Sequence, residues 1–251
     1  LELKGRRILI SGASRGLGRE LALQCSRAGG EVIAVARNEK DLESLKREIE
    51  ATSEAPAPEI YPCDLTDPEK TVEVLGRALP IDVAVFNAGV KYGEDGFFSS
   101  KRILETMEVN LLAVVRTLNL LLPSMMERNS GHLVFISSLG GYHGMIRANG
   151  YNASKAALSI LADSLRMDLL SSGKNIAVTV VKPGLIQTEM LASTGPRFLA
   201  VSKEKAARII LKGILKEKEE IAFPKPMHLL SIAVSLLPKR WGWRLFRRVK
   251  P

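Results

Sequence analysis

Tyr151 and Lys155 stand four residues apart in the run Tyr151-Asn152-Ala153-Ser154-Lys155, with Ser138 upstream and a glycine-rich turn, Ser11-Gly12-Ala13-Ser14-Arg15-Gly16-Leu17-Gly18, near the start of the chain. Residues i and i+4 share one face of a helix, so this spacing holds a phenol and an ammonium side by side. A free phenol has a pKa of about 10, and bringing it near neutrality takes roughly 4 kcal/mol of preferential stabilisation of the phenolate. A fixed positive charge at close range supplies much of that. A phenol tuned in this way can pass a proton to a carbonyl oxygen or take one from an alcohol. Tyrosine and lysine also share helix faces with no chemistry attached, so the weight of the pair depends on the elements around it.

Residues 6–10 read as a short apolar strand and residues 17–28 carry apolar side chains at helical spacing, with the glycines at the joint. Strand, glycine turn and helix N-terminus together make an anion site, because unpaired backbone amides and the helix dipole face a pyrophosphate. The spacing is G-x-x-x-G-x-G, which differs from the usual dinucleotide fingerprint, and a plain tight connection is the alternative. A second strand, Glu31–Ala36, ends in Ala36-Arg37-Asn38. A carboxylate at that strand end suits the ribose hydroxyls of the unphosphorylated cofactor, whereas a nearby arginine suits a 2′-phosphate. Ala36 stands where the carboxylate would repel phosphate, and Arg37 and Arg15 are both at hand. The expected cofactor is therefore NADPH/NADP+; otherwise Arg37 is an ordinary solvated charge.

Further landmarks follow in order. Asp64 and Leu65 come after a third strand (Tyr61-Pro62-Cys63-Asp64-Leu65), Asn87-Ala88-Gly89 after a fourth, and Asn110 in the next helix. Ser138 ends a fifth strand, then come Tyr151 and Lys155, and finally Pro183-Gly184 with Ile186 and Thr188. From about residue 3 to 220 this order resembles the short-chain dehydrogenase/reductase family, in the common form whose chains are about as long as this one of 251 residues, with its Tyr-x-x-x-Lys site.

The resemblance implies a hydride passed between nicotinamide C4 and a carbonyl carbon, with Tyr151 as the general acid in reduction or the base in oxidation. It implies that Ser138 bonds the substrate oxygen and that Lys155 holds the ribose hydroxyls and lowers the pKa of Tyr151. Asn110 would keep a proton-relay water in place. Gly12, Ser14, Arg15, Gly16, Leu17 and Gly18 would hold the pyrophosphate, and Arg37 and Asn38 the 2′-phosphate side. Asp64 and Leu65 would meet the adenine, Asn87, Ala88 and Gly89 would line the ribose, and Pro183, Gly184, Ile186 and Thr188 would close over the nicotinamide. Plainer roles compete with some of these: Asn110 as a buried core amide, Asp64 as a turn residue ahead of the helix start Asp67-Pro68-Glu69, and Ser137 as a strand-end residue. Phe86 replaces the asparagine often found before Asn87, and residues 75–82 are a few residues short of the family pattern; neither change removes a catalytic atom.

The alternation of strand and helix patterns through Val181 reads as an α/β, Rossmann-like doubly wound parallel sheet with helices on both faces, a single domain. The catalytic domain is expected over residues 1–224 and an apolar, basic extension over residues 225–251. Residues 52–58, rich in proline and alanine, read as an exposed connection. Cys25 and Cys63 have neither metal nor disulfide spacing, so reduced thiols in the cytoplasm are expected. The three histidines, His132, His143 and His228, are scattered, so no metal site is expected. No secretory signal is read, and a trimmed leader or anchor stays open because the first residue is not Met.

Residues 227–237 are nearly all apolar and too few to span a bilayer. Beyond them Lys239, Arg240, Arg244, Arg247, Arg248 and Lys250 interleave with Trp241, Trp243, Leu245 and Phe246. Such an end suits peripheral contact with an anionic membrane, here its cytoplasmic face; the alternative is that it packs over the substrate pocket or a second subunit. A formal net charge of +9 would also suit nucleic acid, but the basic excess is concentrated in this tail and no nucleic-acid motif accompanies it. Substrate contacts are expected from Leu139, Tyr142, His143, Met145 and Ile146 before Tyr151, and from Met190, Leu191, Phe198 and Leu199 after Gly184. A small lipophilic ketone or aldehyde follows, steroid-like or a keto-lipid; the residues 36–38 and the apolar tail also resemble 3-ketosphinganine reductases. The competing class is a cofactor-binding scaffold or sensor without catalysis, which loss of Ser138, Tyr151 or Lys155 would have favoured. By analogy with the family, a homodimer or homotetramer is expected, the apolar residues 111–122 fitting an interface or a core.

Overall fold

The computed structural model describes residues 1–92, 98–191, 200–238 and 240–241. The central strands of its sheet are apolar runs buried on both faces, as covered parallel strands must be. The strands are β1 (Arg7–Ser11), β2 (Glu31–Ala36), β3 (Glu59–Pro62), β4 (Val83–Phe86), β5 (Gly131–Ile136), β6 (Ile176–Pro183), β7 (Ile186–Gln187), β8 (Val201–Ser202) and β9 (Glu220–Phe223). Seven of them form a parallel sheet in the order β3-β2-β1-β4-β5-β6-β9, and β7 pairs with β8 apart from it. The order reverses between β1 and β4, where Ile10 sits in register with Val85. In doubly wound sheets the crevice beyond such a reversal is the ligand site.

Alternation along the strands divides the core in two. Ile8, Ile10, Ala34 and Val85 face helices α1 (Gly16–Arg27), α2 (Glu39–Thr52) and α7 (Lys203–Leu215). Leu9, Ile33, Ala84 and Phe135 face α3 (Pro68–Arg77), α5 (Ala113–Arg128) and α6 (Asn149–Ser171). The expected doubly wound single domain is what the chain adopts. Phe86, the departure from the family pattern, joins this core and stacks on Phe135 with ring centroids 5.0 Å apart.

Helix starts follow their sequence signals. Asn38 caps α2 by accepting from the Asp41 N–H, and Asp67 caps α3 by accepting from the Lys70 N–H. The apolar residues 109–122 fall in one helical run made of α4 (Ser100–Met107), a π-helical segment at Glu108–Leu112, and α5. That run is long and apolar enough to cross a membrane, yet Val114, Leu118, Leu121 and Met125 bury one side of it against the sheet. The π segment carries Asn110, and single π turns of this kind concentrate at functional sites. After β9 the chain enters α8 (Lys225–Leu236), with Pro224 at its N-cap position.

Candidate active site

The glycine turn is built for close approach. Gly12 and Gly16 have φ of +67° and +57°, a region that disfavours side chains. A Cβ on Gly18 would stand 2.2 Å from the Gly12 carbonyl oxygen and 2.4 Å from Asn87 Nδ2. The Asn87 side chain donates to the carbonyls of Ser11 and Gly12, while Ser11 Oγ accepts from the N–H groups of Asn87 and Ala88. The ends of β1 and β4 are thereby tied together at the sheet reversal. Asn87 thus braces the turn as well as lining the cleft. Unlike α2 and α3, α1 starts with no side-chain cap and no acidic residue in its first turn. Its N-terminal amides are left for an external anion.

The donors around this cradle fit a phosphorylated dinucleotide. Arg15 and Arg37 are exposed at the rim, Ala36 is buried at the end of β2, and no carboxylate occupies the strand end. Arg37 reaches across to Asp64, with Nη1 3.7 Å from Oδ2. Asp64 also accepts from the backbone and hydroxyl of Thr66, so it holds a turn while lining the cleft.

At the other end, α6 presents Tyr151 and Lys155 inward. Ser137 Oγ donates to the Lys155 carbonyl and bonds Ser159 Oγ, which fixes α6 against the end of β5. Lys155 is 5% exposed, and its Nζ donates to the Ile136 carbonyl at 2.7 Å. Burial without a carboxylate partner pushes its ammonium down to about 8. The Tyr151 hydroxyl bonds the Ser138 side chain; burial raises its pKa and the bond to Ser138 offsets part of that rise. Lys155 Nζ lies 5.9 Å from the Tyr151 ring centroid.

Asn110, 1% exposed, is the catalytic candidate that does not reach the cleft. Its amide bonds both the N–H and the C=O of Val90 and donates to Ser154 Oγ. It therefore clamps the loop after β4 to the catalytic helix with its whole side chain. The plainer role, a satisfied core amide, and a positioning role are here the same contacts.

One cleft of about 910 Å³ runs from Arg37 to Met190. Every cofactor residue named from the sequence lines it, as do Ser138, Leu139, His143, Met145, Tyr151 and Met190. Tyr142 and Ile146 do not: Ile146 faces solvent, and Tyr142 Oη bonds His228 Nε2 at 3.1 Å and accepts from Lys182 Nζ. Phe198, Leu199 and the tail beyond Trp241 lie outside the described residues, as does Lys239, and so does the side chain of Leu191. Sequence reasoning missed Lys91 and Tyr92, in the loop after Gly89, and Met227, Leu230 and Ser231 of α8. A Cβ on Gly184 would stand 3.1 Å from Pro224 Cδ and 3.2 Å from Met227 Sδ. Those two distances show how closely α8 is seated on the strand end.

A family model described as short chain dehydrogenase matches residues 6–197. The chain belongs to the short-chain dehydrogenase family. An uncharacterized oxidoreductase of Myxococcus xanthus is 34% identical to this short-chain dehydrogenase over 248 residues, 94% of each chain. A Drosophila melanogaster protein, dehydrogenase/reductase SDR family protein 7-like, is 36% identical over 267 residues, 98% of this chain and 81% of that one. Among solved structures, a short chain dehydrogenase from Burkholderia cenocepacia in complex with NADP superposes with a TM-score of 0.84 over all of both chains, at 21% identity, and attests the fold. One from Sphingobium yanoikuyae in complex with NADPH gives 0.80 at 26% identity, over 98% of this chain and 96% of that one. This short-chain dehydrogenase is thus a member of an oxidoreductase family whose fold binds a nicotinamide cofactor.

Proposed function

We propose that this short-chain dehydrogenase is an NADP(H)-dependent carbonyl reductase for a lipophilic ketone or aldehyde. One observation carries the reading: Ser138, Tyr151 and Lys155 converge where the cofactor cradle opens into a chamber lined by Leu139, Met145, Met190, Met227 and Leu230. Apolar walls with a few convergent polar groups are what a ligand site needs. The bound nicotinamide supplies the hydride. Ser138 Oγ and Tyr151 Oη hold the substrate oxygen, and Tyr151 gives it a proton as charge develops there. The buried ammonium of Lys155 then favours the phenolate left behind. Arg15, Arg37 and the missing carboxylate at Ala36 support NADPH over NADH, and a cell that keeps this cofactor reduced favours reduction. A scaffold that only binds cofactor has no need of Ser138 and Tyr151 bonded to each other at the substrate end of the cleft.

Titrating NADPH and NADH in parallel, followed by cofactor fluorescence, tests the phosphate site. Arg37→Ala should weaken NADPH roughly 10- to 100-fold, as loss of a charge-assisted bond does, and leave NADH little changed. Equal loss for both cofactors would place Arg37 in its ion pair with Asp64 rather than on a phosphate. The partners belong to the same proposal: a second copy of the chain, and the cytoplasmic face of a membrane met by α8 and the basic run after it. Cys25 and Cys63, buried and unbridged, fit that compartment.

A further inference from the structure

We propose that Lys91 anchors the head group of the substrate, and that the substrate is an amphiphilic keto compound with a carboxylate close to its ketone. This deepens the carbonyl-reductase reading and rests on it. Lys91 follows Val90, whose N–H and C=O are both held by Asn110, at 2.8 and 3.0 Å. Its backbone is therefore fixed by a buried amide rather than carried on a loose loop. The side chain is half-buried and lines the cleft. Its Nζ stands 5.8 Å from the Tyr151 ring centroid, close to the 5.9 Å of Lys155.

Two ammonium groups thus stand at nearly equal distances from the ring of the reacting phenol, and they differ in their partners. Lys155 Nζ donates to the Ile136 carbonyl. Among the described residues, Lys91 Nζ has no hydrogen-bond or ion-pair partner, only the Tyr151 ring. The carboxylates lining the cleft stand elsewhere. Asp64 pairs with Arg37, Asp41 heads α2, and Glu189 Oε2 is 3.6 Å from where a Gly16 Cβ would be. The substrate end contributes Leu139, Met145, Met190, Met227 and Leu230 and, among described residues, no carboxylate.

Among the described residues this partly desolvated ammonium lacks the counter-charge that would make it favourable, and burial pushes its pKa down. A substrate carboxylate supplies that charge, while an alkyl remainder occupies the thioether and leucine surface. With the ketone oxygen on Ser138 and Tyr151, a group on Lys91 sits within a few bonds of the ketone. A neutral ketone offers the ammonium no such charge.

The matched pair 4-oxodecanoate and 4-decanone, which differ by a carboxylate in place of a terminal methyl, tests this. With NADPH the wild type should favour the keto acid about tenfold or more in kcat/KM. In Lys91→Met that ratio should fall to about one. A wild-type ratio near one overturns the proposal, and so does a variant that slows both substrates alike and keeps the ratio, which would assign Lys91 to Tyr151 instead. Calorimetric titration of octanoate and 1-octanol, with NADPH present, needs no turnover. Tighter binding of octanoate in the wild type, lost in Lys91→Met, supports the anchor even if neither ketone is reduced, and it is then the reductase reading that fails. Equal binding of the two in the wild type overturns the anchor.

Discussion

The ammonium of Lys155 is kept in the protein at a thermodynamic cost, and that cost can be measured. Its folded pKa of about 8 lies below the ordinary 10.5, because burial penalises the charge. Between those values the unfolded chain binds the proton that the folded one releases, so this group's contribution to stability rises with pH from 8 to 10.5. Below that window the folded protein carries a penalty of about 3 kcal/mol. Lys155→Met, which removes it, should melt higher than the wild type at pH 7 and lose that advantage as the pH is raised through the window, while turnover disappears. A variant that melts lower at pH 7 would show that the bond to the Ile136 carbonyl outweighs desolvation. Tyr151, Lys155 and Ser138 were legible in the sequence because their spacing is fixed by one helix and one strand end. Lys91 was not, since no periodicity announces a loop residue whose position depends on the bond of its neighbour Val90 to Asn110, 20 residues beyond Val90.

Among the elements, the strands and the helices of the two-sided core read directly from runs of Val, Ile and Leu and from caps such as Asn38 and Asp67. The π turn did not, because a one-residue shift of backbone hydrogen bonding leaves no mark in the pattern of residues 109–122. The placement of α8 was also illegible, because its composition suits a protein groove and a lipid surface equally. The structure seats one side of it in the cleft and leaves the other side exposed. Met227, Leu230 and Ser231 line the cleft, and His228 is latched to Tyr142 and Glu220, while Glu220 takes a 2.5 Å bond from Lys182. The outer side exposes Leu229 and Leu236, with relative exposures of 65% and 80%, and Trp241 follows. The basic run of residues 239–250 follows in the sequence and favours an anionic bilayer, where each cation contributes about 1 kcal/mol. The protein should co-sediment with phosphatidylserine-containing vesicles at low salt, less with phosphatidylcholine alone, and less again at high salt. Leu229→Asp with Leu236→Asp should release it while sparing NADPH binding. Binding indifferent to lipid charge would reassign the outer face of α8.

For the whole molecule, a second apolar surface lies away from α8 and has to be accounted for. Leu104, Leu112 and Val115 on the α4–α5 run, and Ile160, Met167 and Leu170 on α6, are exposed, Leu104 and Met167 each by 68%. Scattered exposed leucines are ordinary, but a stripe shared by two neighbouring helices is a surface of the kind that interfaces bury. Ile160 and Met167 are seven residues apart on α6, two helical turns along one face. A second copy related by a two-fold axis would present the same helices and cover this stripe with its own. The consequence reaches the site, because the helix that would be clamped is the one that carries Tyr151 and Lys155. Ile160→Glu with Met167→Glu should convert the protein from an oligomer to a single chain in sedimentation equilibrium, because two carboxylates cannot be buried unpaired against apolar partners. The assembly should resist high salt, since apolar burial rather than charge holds it. A wild type that already sediments as a single chain would leave the stripe solvated, and α6 held from one side only, by Ser137, Ser159 and the Asn110–Ser154 bond.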